Sequence, residues 1–190
     1  NFSDHSGYRN NFYDDSEWIG LTMVRLYEAT KEEKYLETAK DLMEWIKTGW
    51  NDYAGGGIAW EKTSHEADKN ACSNGPAALL AMRLYEVTKD NDYMDWAKKI
   101  YEWEKATLFN PATGAIYDGI NGLTGELNTV TLSYNQGTFV GAAYHLFKAT
   151  GDEIYLNDAR KCANYTISSS NVIDTSNNIL RDEGNGDGGL

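Results

Sequence analysis

The sequence predicts an all-α fold: a toroid of helical hairpins, of which this chain is the central part. Three observations predict it. The segment Leu26-Tyr27-Glu28-Ala29-Thr30 recurs 58 residues on as Leu84-Tyr85-Glu86-Val87-Thr88, and a further 62 residues on as Leu146-Phe147-Lys148-Ala149-Thr150. Each copy is followed by a short charged turn and then by Tyr35-Leu36, Tyr93-Met94 or Tyr155-Leu156. Long glycine-bearing segments separate the copies. Repeated supersecondary units bury their apolar faces against one another, so such a period describes an array rather than an irregular globule.

Each unit reads as two helices. In the first, Ile19, Met23, Leu26 and Tyr27 fall at helical spacing, giving one buried stripe. Tyr35, Ala39, Leu42 and Ile46 give the matching stripe of its partner. The second unit repeats the pattern with Ala77, Leu80, Ala81, Leu84 and Tyr85, then Tyr93, Ala97, Ile100 and Tyr101. The third uses Phe139, Ala142, Ala143, Leu146 and Phe147, then Tyr155, Ala159 and Cys162. Short connections make the two helices of each unit antiparallel neighbours. The segments Gly49 to Trp60, Thr107 to Ile120 and Ser168 to Leu190 alternate in places and predict short extended pieces between hairpins.

Solenoid repeats run to about 34–47 residues with short links. Units spaced 58 and 62 residues apart with long links fit a ring better. A closed ring of six hairpins needs roughly twice this chain, so residues 1–190 are expected to be one toroid domain, incomplete at both ends.

Composition removes several classes of function. A net charge of −12 with no basic patch opposes binding to a nucleic-acid backbone. No apolar run approaches the length of a membrane span. Two cysteines, Cys72 and Cys162, form no disulfide framework; both are expected to be free thiols, with Cys162 at a core position equivalent to Leu42 and Ile100. His5, His65 and His145 have no metal-ligand spacing, and no glycine-rich phosphate loop is present; neither cofactor nor metal is expected. Aromatic residues at 13% suit sugar stacking and core packing alike.

The chemistry concentrates at the helix starts. The 58- and 62-residue offsets align Asp14-Asp15-Ser16-Glu17 with Cys72-Ser73-Asn74-Gly75 and with Tyr134-Asn135-Gln136-Gly137. Equivalent helix starts of a toroid converge on one rim, so Asp14, Asp15, Ser73, Asn74, Asn135 and Gln136 are expected around a common polar cavity. Paired carboxylates there are the minimum equipment for cleaving a glycosidic bond. The same residue types are also ordinary helix caps, and Asp15 with Glu17 also favours the helix dipole.

Taken together, Tyr13-Asp14-Asp15-Ser16-Glu17-Trp18, Gly55-Gly56-Gly57-Ile58-Ala59-Trp60, Lys69-Asn70-Ala71-Cys72-Ser73-Asn74-Gly75, Tyr117-Asp118-Gly119, Tyr134-Asn135-Gln136-Gly137 and Gly186-Asp187-Gly188-Gly189 resemble glycoside hydrolase family 76, the endo-α-1,6-mannanase family. The resemblance spans nearly the whole chain. It implies an (α/α)6 barrel and a retaining mechanism on mannan, with Asp14 as nucleophile and Asp15 as general acid/base. Asn70, Asn74, Asp118, Asn135 and Gln136 become candidates for sugar-hydroxyl contacts. Trp60 and Tyr134, with Tyr13 and Trp18, become candidate stacking platforms. A mannan or manno-oligosaccharide substrate, a monomeric state and a secreted or cell-surface location are the corresponding expectations.

Two other readings compete. One is a sugar epimerase or unsaturated-glucuronide hydrolase on a similar toroid; epimerase chemistry usually relies on histidines, which are scattered here. The other is a carbohydrate-binding or transglycosidase-like cell-wall protein with little hydrolytic activity.

Overall fold

The computed structural model describes residues 7–182. Six helices form three antiparallel hairpins: α1 (Tyr13–Thr30) with α2 (Glu33–Lys47), α3 (Gly75–Thr88) with α4 (Asn91–Thr107), and α5 (Ser133–Thr150) with α6 (Glu153–Ser168). Besides the packing within each hairpin, α3 packs on both α1 and α5, so the first helices of the three hairpins stand side by side. This is an arc of an α/α toroid, as the repeat predicts.

The hairpin turns are built identically three times. Thr30, Thr88 and Thr150 each donate a hydroxyl back to the helix, to the carbonyls of Leu26, Leu84 and Leu146. The same hydroxyls accept the amides of Glu32, Asp90 and Asp152 at 3.2 Å. Between them lies a left-handed residue that ends the helix: Lys31 (φ 61°), Lys89 (φ 62°) and Gly151 (φ 74°). The core follows the repeat as well. Leu42, Ile100 and Cys162 are all fully buried, and both cysteines are free. A Cβ on Gly20 would lie 2.6 Å from the Leu80 side chain, so glycine is what lets α1 approach α3 this closely.

The inter-hairpin segments are the least regular part. The expected extended pieces at Ile58 and Ile116 are single antiparallel bridges back to Trp50 and Phe109, at the ends of α2 and α4. The regular sheet lies elsewhere. Strands β1 (Asp68–Asn70), β2 (Gly119–Asn121) and β3 (Leu127–Asn128) form an antiparallel sheet in which Lys69 faces Ile120 and Gly119 faces Asn128. It joins the link before α3 to the link before α5, a pairing the sequence does not announce. A hairpin of β4 (Ile173–Asp174) and β5 (Ile179–Leu180) follows α6. Gly186-Asp187-Gly188-Gly189 and His5 lie outside the described residues.

Candidate active site

Asp14 and Asp15 occupy the first turn of α1, whose N-cap, Phe12, makes no side-chain cap bond. Neither aspartate thus holds the N-cap position. The Asp15 amide donates to Asp14 Oδ1 at 3.0 Å, and Asn10 Nδ2 donates to Asp15 Oδ2 at 2.8 Å. Asn10 is itself anchored: its amide donates to Ser16 Oγ at 3.0 Å, and its Oδ1 accepts the Phe12 amide. Both aspartates are half-buried. Burial, and then the Asp15 charge, push the Asp14 carboxyl up to about 6; the Asp15 amide and the Cys72 thiol act in the opposite sense.

The other predicted site residues divide into two groups. Asp118 and Asn135 are bonded to each other, and Asn70 pairs with Gly119, next to Asp118. Asp118 accepts Asn128 Nδ2 at 2.8 Å and Asn135 Nδ2 at 3.3 Å, and burial raises its proton affinity. Asn135 is fully buried and its Oδ1 has no partner. Cys72 feels the charges of Asp14, Glu17 and Asp118, so it bridges the head of α1 and the β2 side of the site. Trp60 and Asn70 line a groove of about 470 Å³ with Asp68, Asn121, Glu126 and Asn128. Strand alternation explains this lining: Asp68 and Asn70 face the groove, while Lys69 between them is buried and donates to the Gly57 carbonyl at 2.7 Å. The Trp60 carbonyl accepts the Tyr13 amide at 3.2 Å, which ties the groove to the start of α1.

Asn74 and Gln136 are put to another use. Both are fully buried. Asn74 Oδ1 accepts the Ile58 amide at 2.8 Å, and its Nδ2 donates to the carbonyls of Ile58 and Asn70. Gln136 Oε1 accepts the Ile116 amide at 2.8 Å, and its Nε2 donates to the carbonyls of Ile116 and Leu132. Ser16, at the equivalent position of the first repeat, does the same in shorter form by accepting the Asn10 amide. These three residues pin the incoming loop to each helix start, so the amides expected to meet sugar hydroxyls at Asn74 and Gln136 are already saturated by backbone. Ser73 is likewise buried and donates to the carbonyls of Ile58 and Asn70. Tyr134 does not line the groove; it lies with Val140, Ile167 and Leu180 on an apolar face of α5 and α6. Tyr13 is core, 1% exposed, with its hydroxyl 3.3 Å from Thr48 Oγ1. Trp18 is half-buried against the core.

Two residues that the sequence does not mark are Asn10, bonded to Asp15, and the buried acid Glu104. Glu17 was visible in the Asp14-Asp15-Ser16-Glu17 run, but its burial is a tertiary fact. Glu104 carries no local signal. Among the described residues, no cluster of three or more His, Cys, Asp or Glu side chains is arranged to hold a metal ion.

The glycosyl hydrolase family 76 model matches residues 1–188. This chain belongs to glycosyl hydrolase family 76. The α-1,6-mannanase of Salegentibacter sp. HEL1_6 superposes with a TM-score of 0.89 at 44% identity, over 95% of this chain and 54% of that one. A variant of that mannanase, inactive after two adjacent aspartates were replaced by asparagine, is similar at 43% identity and has been solved with α-1,6-mannotriose. A putative mannan endo-1,6-alpha-mannosidase of Schizosaccharomyces pombe is 27% identical over 80% of this chain and 37% of its own length. The mannan endo-1,6-alpha-mannosidase DCW1 of Saccharomyces cerevisiae is 28% identical over 75% of this chain and 35% of its own. The family 76 chain described here thus spans little more than a third of these curated relatives and about half of the bacterial mannanase. No helix among its described residues is long and apolar enough to cross a membrane.

Proposed function

We propose that residues 1–190 are a single α/α-toroid catalytic domain, incomplete at both ends, of a retaining glycoside hydrolase acting on α-1,6-mannosidic bonds in mannan. Asp14 is the nucleophile and Asp15 the general acid/base. The observation that carries the proposal is the Asp14–Asp15 pair itself: two half-buried acids on the first turn of α1, oriented by the Asp15 amide and by Asn10. The inactivation of the similar mannanase by replacing two adjacent aspartates supports it.

In this mechanism the Asp14 carboxylate attacks the anomeric carbon while Asp15 gives its proton to the departing glycosidic oxygen. Asp15 then takes a proton from water, which releases the sugar from Asp14 with its configuration kept. Retention of this kind uses carboxyl groups about 5–5.5 Å apart. Asp118, held by Asn128 and Asn135, and the groove residues Asn70 and Trp60 are proposed to receive the mannosyl units. A polymeric mannan substrate favours a location outside the cell or at its surface.

One observation favours exchanged roles. Asp14 is the acid whose proton is held up to about 6, which suits a proton donor. The test is incubation with α-1,6-manno-oligosaccharides of the parent, Asp14→Ala and Asp15→Ala, with and without azide and with an activated mannoside. Cleavage by the parent and loss in both variants is expected. Azide is expected to give a β-mannosyl azide with Asp14→Ala and an α-mannosyl azide with Asp15→Ala. The opposite pairing reverses the roles, and full activity in both variants removes the pair from the site.

A further inference from the structure

Beneath the aspartates lies a second pair of acids. Glu17, one turn below Asp14 on α1, and Glu104, in the last turn of α4, are both fully buried. All four of their carboxyl oxygens lack a hydrogen-bond partner, and neither residue takes part in an ion pair among the described residues. Residues at i and i+3 on a helix are neighbours, with Cβ atoms about 5–6 Å apart, so Glu17 shares a face with Asp14. Glu104 reaches the same level from the other side. A Cβ added to Gly75, at the head of α3, would lie 3.3 Å from Glu104 Oε1 and 2.5 Å from Thr138 Oγ1.

An ionised carboxyl without donors is not tolerated in such a place; it holds its proton instead. The groups facing this pair add no cation. Glu17 meets the charges of Asp14, Asp15 and Glu104, while Cys72 feels Glu17, Asp14 and Asp118, and Cys162 feels Glu104. Burial keeps both glutamates protonated well above the usual carboxylate range. Asp14 differs in kind. It is half-buried and has two donors, the Asp15 amide and the Cys72 thiol. The order of ionisation is thus built in: Asp14 first, the glutamates last.

We propose that Glu17, backed by Glu104, is a positioning residue for the aspartate pair: a buried neutral acid that holds a proton under Asp14 so that Asp14 carries the negative charge. An anion at Glu17 would repel that charge and return the proton to Asp14. The role rests on the proposed hydrolase mechanism, but its test uses no mannan, so either can fail alone.

The experiment is a carboxyl-carbon NMR titration of the full chain labelled at Asp and Glu, as wild type and as Glu17→Gln. In the wild type, Asp14 is expected to show a main step near 6 and a smaller alkaline step coincident with ionisation of Glu17. In Glu17→Gln the main step stays in place and the alkaline step disappears. An alkaline step that arises from another group would persist in the variant. Glu17 titrating below Asp14, or both steps persisting in the variant, overturns the proposal. Should Glu17→Gln fail to fold, the infrared carbonyl band of protonated carboxyls decides on the wild type alone at pH 8. Its presence is expected; its absence overturns the proposal.

Discussion

Asn10 donates its side-chain amide to the Asp15 carboxylate at 2.8 Å, and this bond aims the second acid of the pair. Asn10 is 3% exposed and fixed by Ser16 and Phe12, so it behaves as part of the scaffold rather than as a mobile loop residue. Misplacing a reacting group by about 1 Å costs on the order of a hundredfold in rate. Asn10→Ala is therefore expected to lower kcat by about tenfold to a hundredfold with little change in KM, measured as steady-state hydrolysis of manno-oligosaccharides.

The pH dependence separates the two assignments of the aspartates. Asp14 is raised from the ordinary aspartate value to about 6 by burial and by Asp15. As nucleophile it acts ionised, so kcat/KM rises with pH through about 6. As proton donor it acts protonated, and kcat/KM falls through the same point. A pH–rate profile between 4 and 8 reads the sign directly, about one decade per unit on the limb.

Gln136 is a pin rather than a sugar contact. Its side chain satisfies the amide and carbonyl of Ile116, both buried. Removing one partner of a buried hydrogen bond costs about 1–3 kcal/mol. Gln136→Ala is expected to lose stability on this scale in urea denaturation. Mannotriose affinity per folded molecule, measured by calorimetry, is expected to stay unchanged.

The hairpin turns carry a strain that one repeat has relieved. Lys31 and Lys89 sit at φ 61° and 62°, where the third repeat has Gly151. A left-handed residue with a Cβ costs about 1–2 kcal/mol, and Lys89→Gly is expected to recover about 1 kcal/mol in equilibrium unfolding, part of it offset by the greater entropy of glycine in the unfolded chain.

Much of this molecule was legible before its structure. Periodicity announced the hairpins because a helix must bury one stripe, and the offsets announced their equivalence, down to Leu42, Ile100 and Cys162 filling one core position. The rim was legible only in part. Polar residues at helix starts have two possible partners, solvent-borne ligand or their own loops. The choice for Asn74 and Gln136 depended on where Ile58 and Ile116 pass, which no local pattern encodes. The pairing of β1 with β2 was hidden for the same reason, since it joins Asn70 to Gly119 across a whole hairpin. Glu104 was invisible because a glutamate in an amphipathic helix ordinarily faces water; here the head of α3 closes over it.

The central claim is that Asp14 and Asp15 cleave α-1,6-mannan with retention. Its most direct test is proton NMR of the first product formed from α-1,6-mannotetraose, read before the anomers equilibrate. The account predicts α-anomeric reducing ends from the parent chain and none from Asp14→Asn. First-formed β-anomer, or undiminished cleavage by Asp14→Asn, would contradict it.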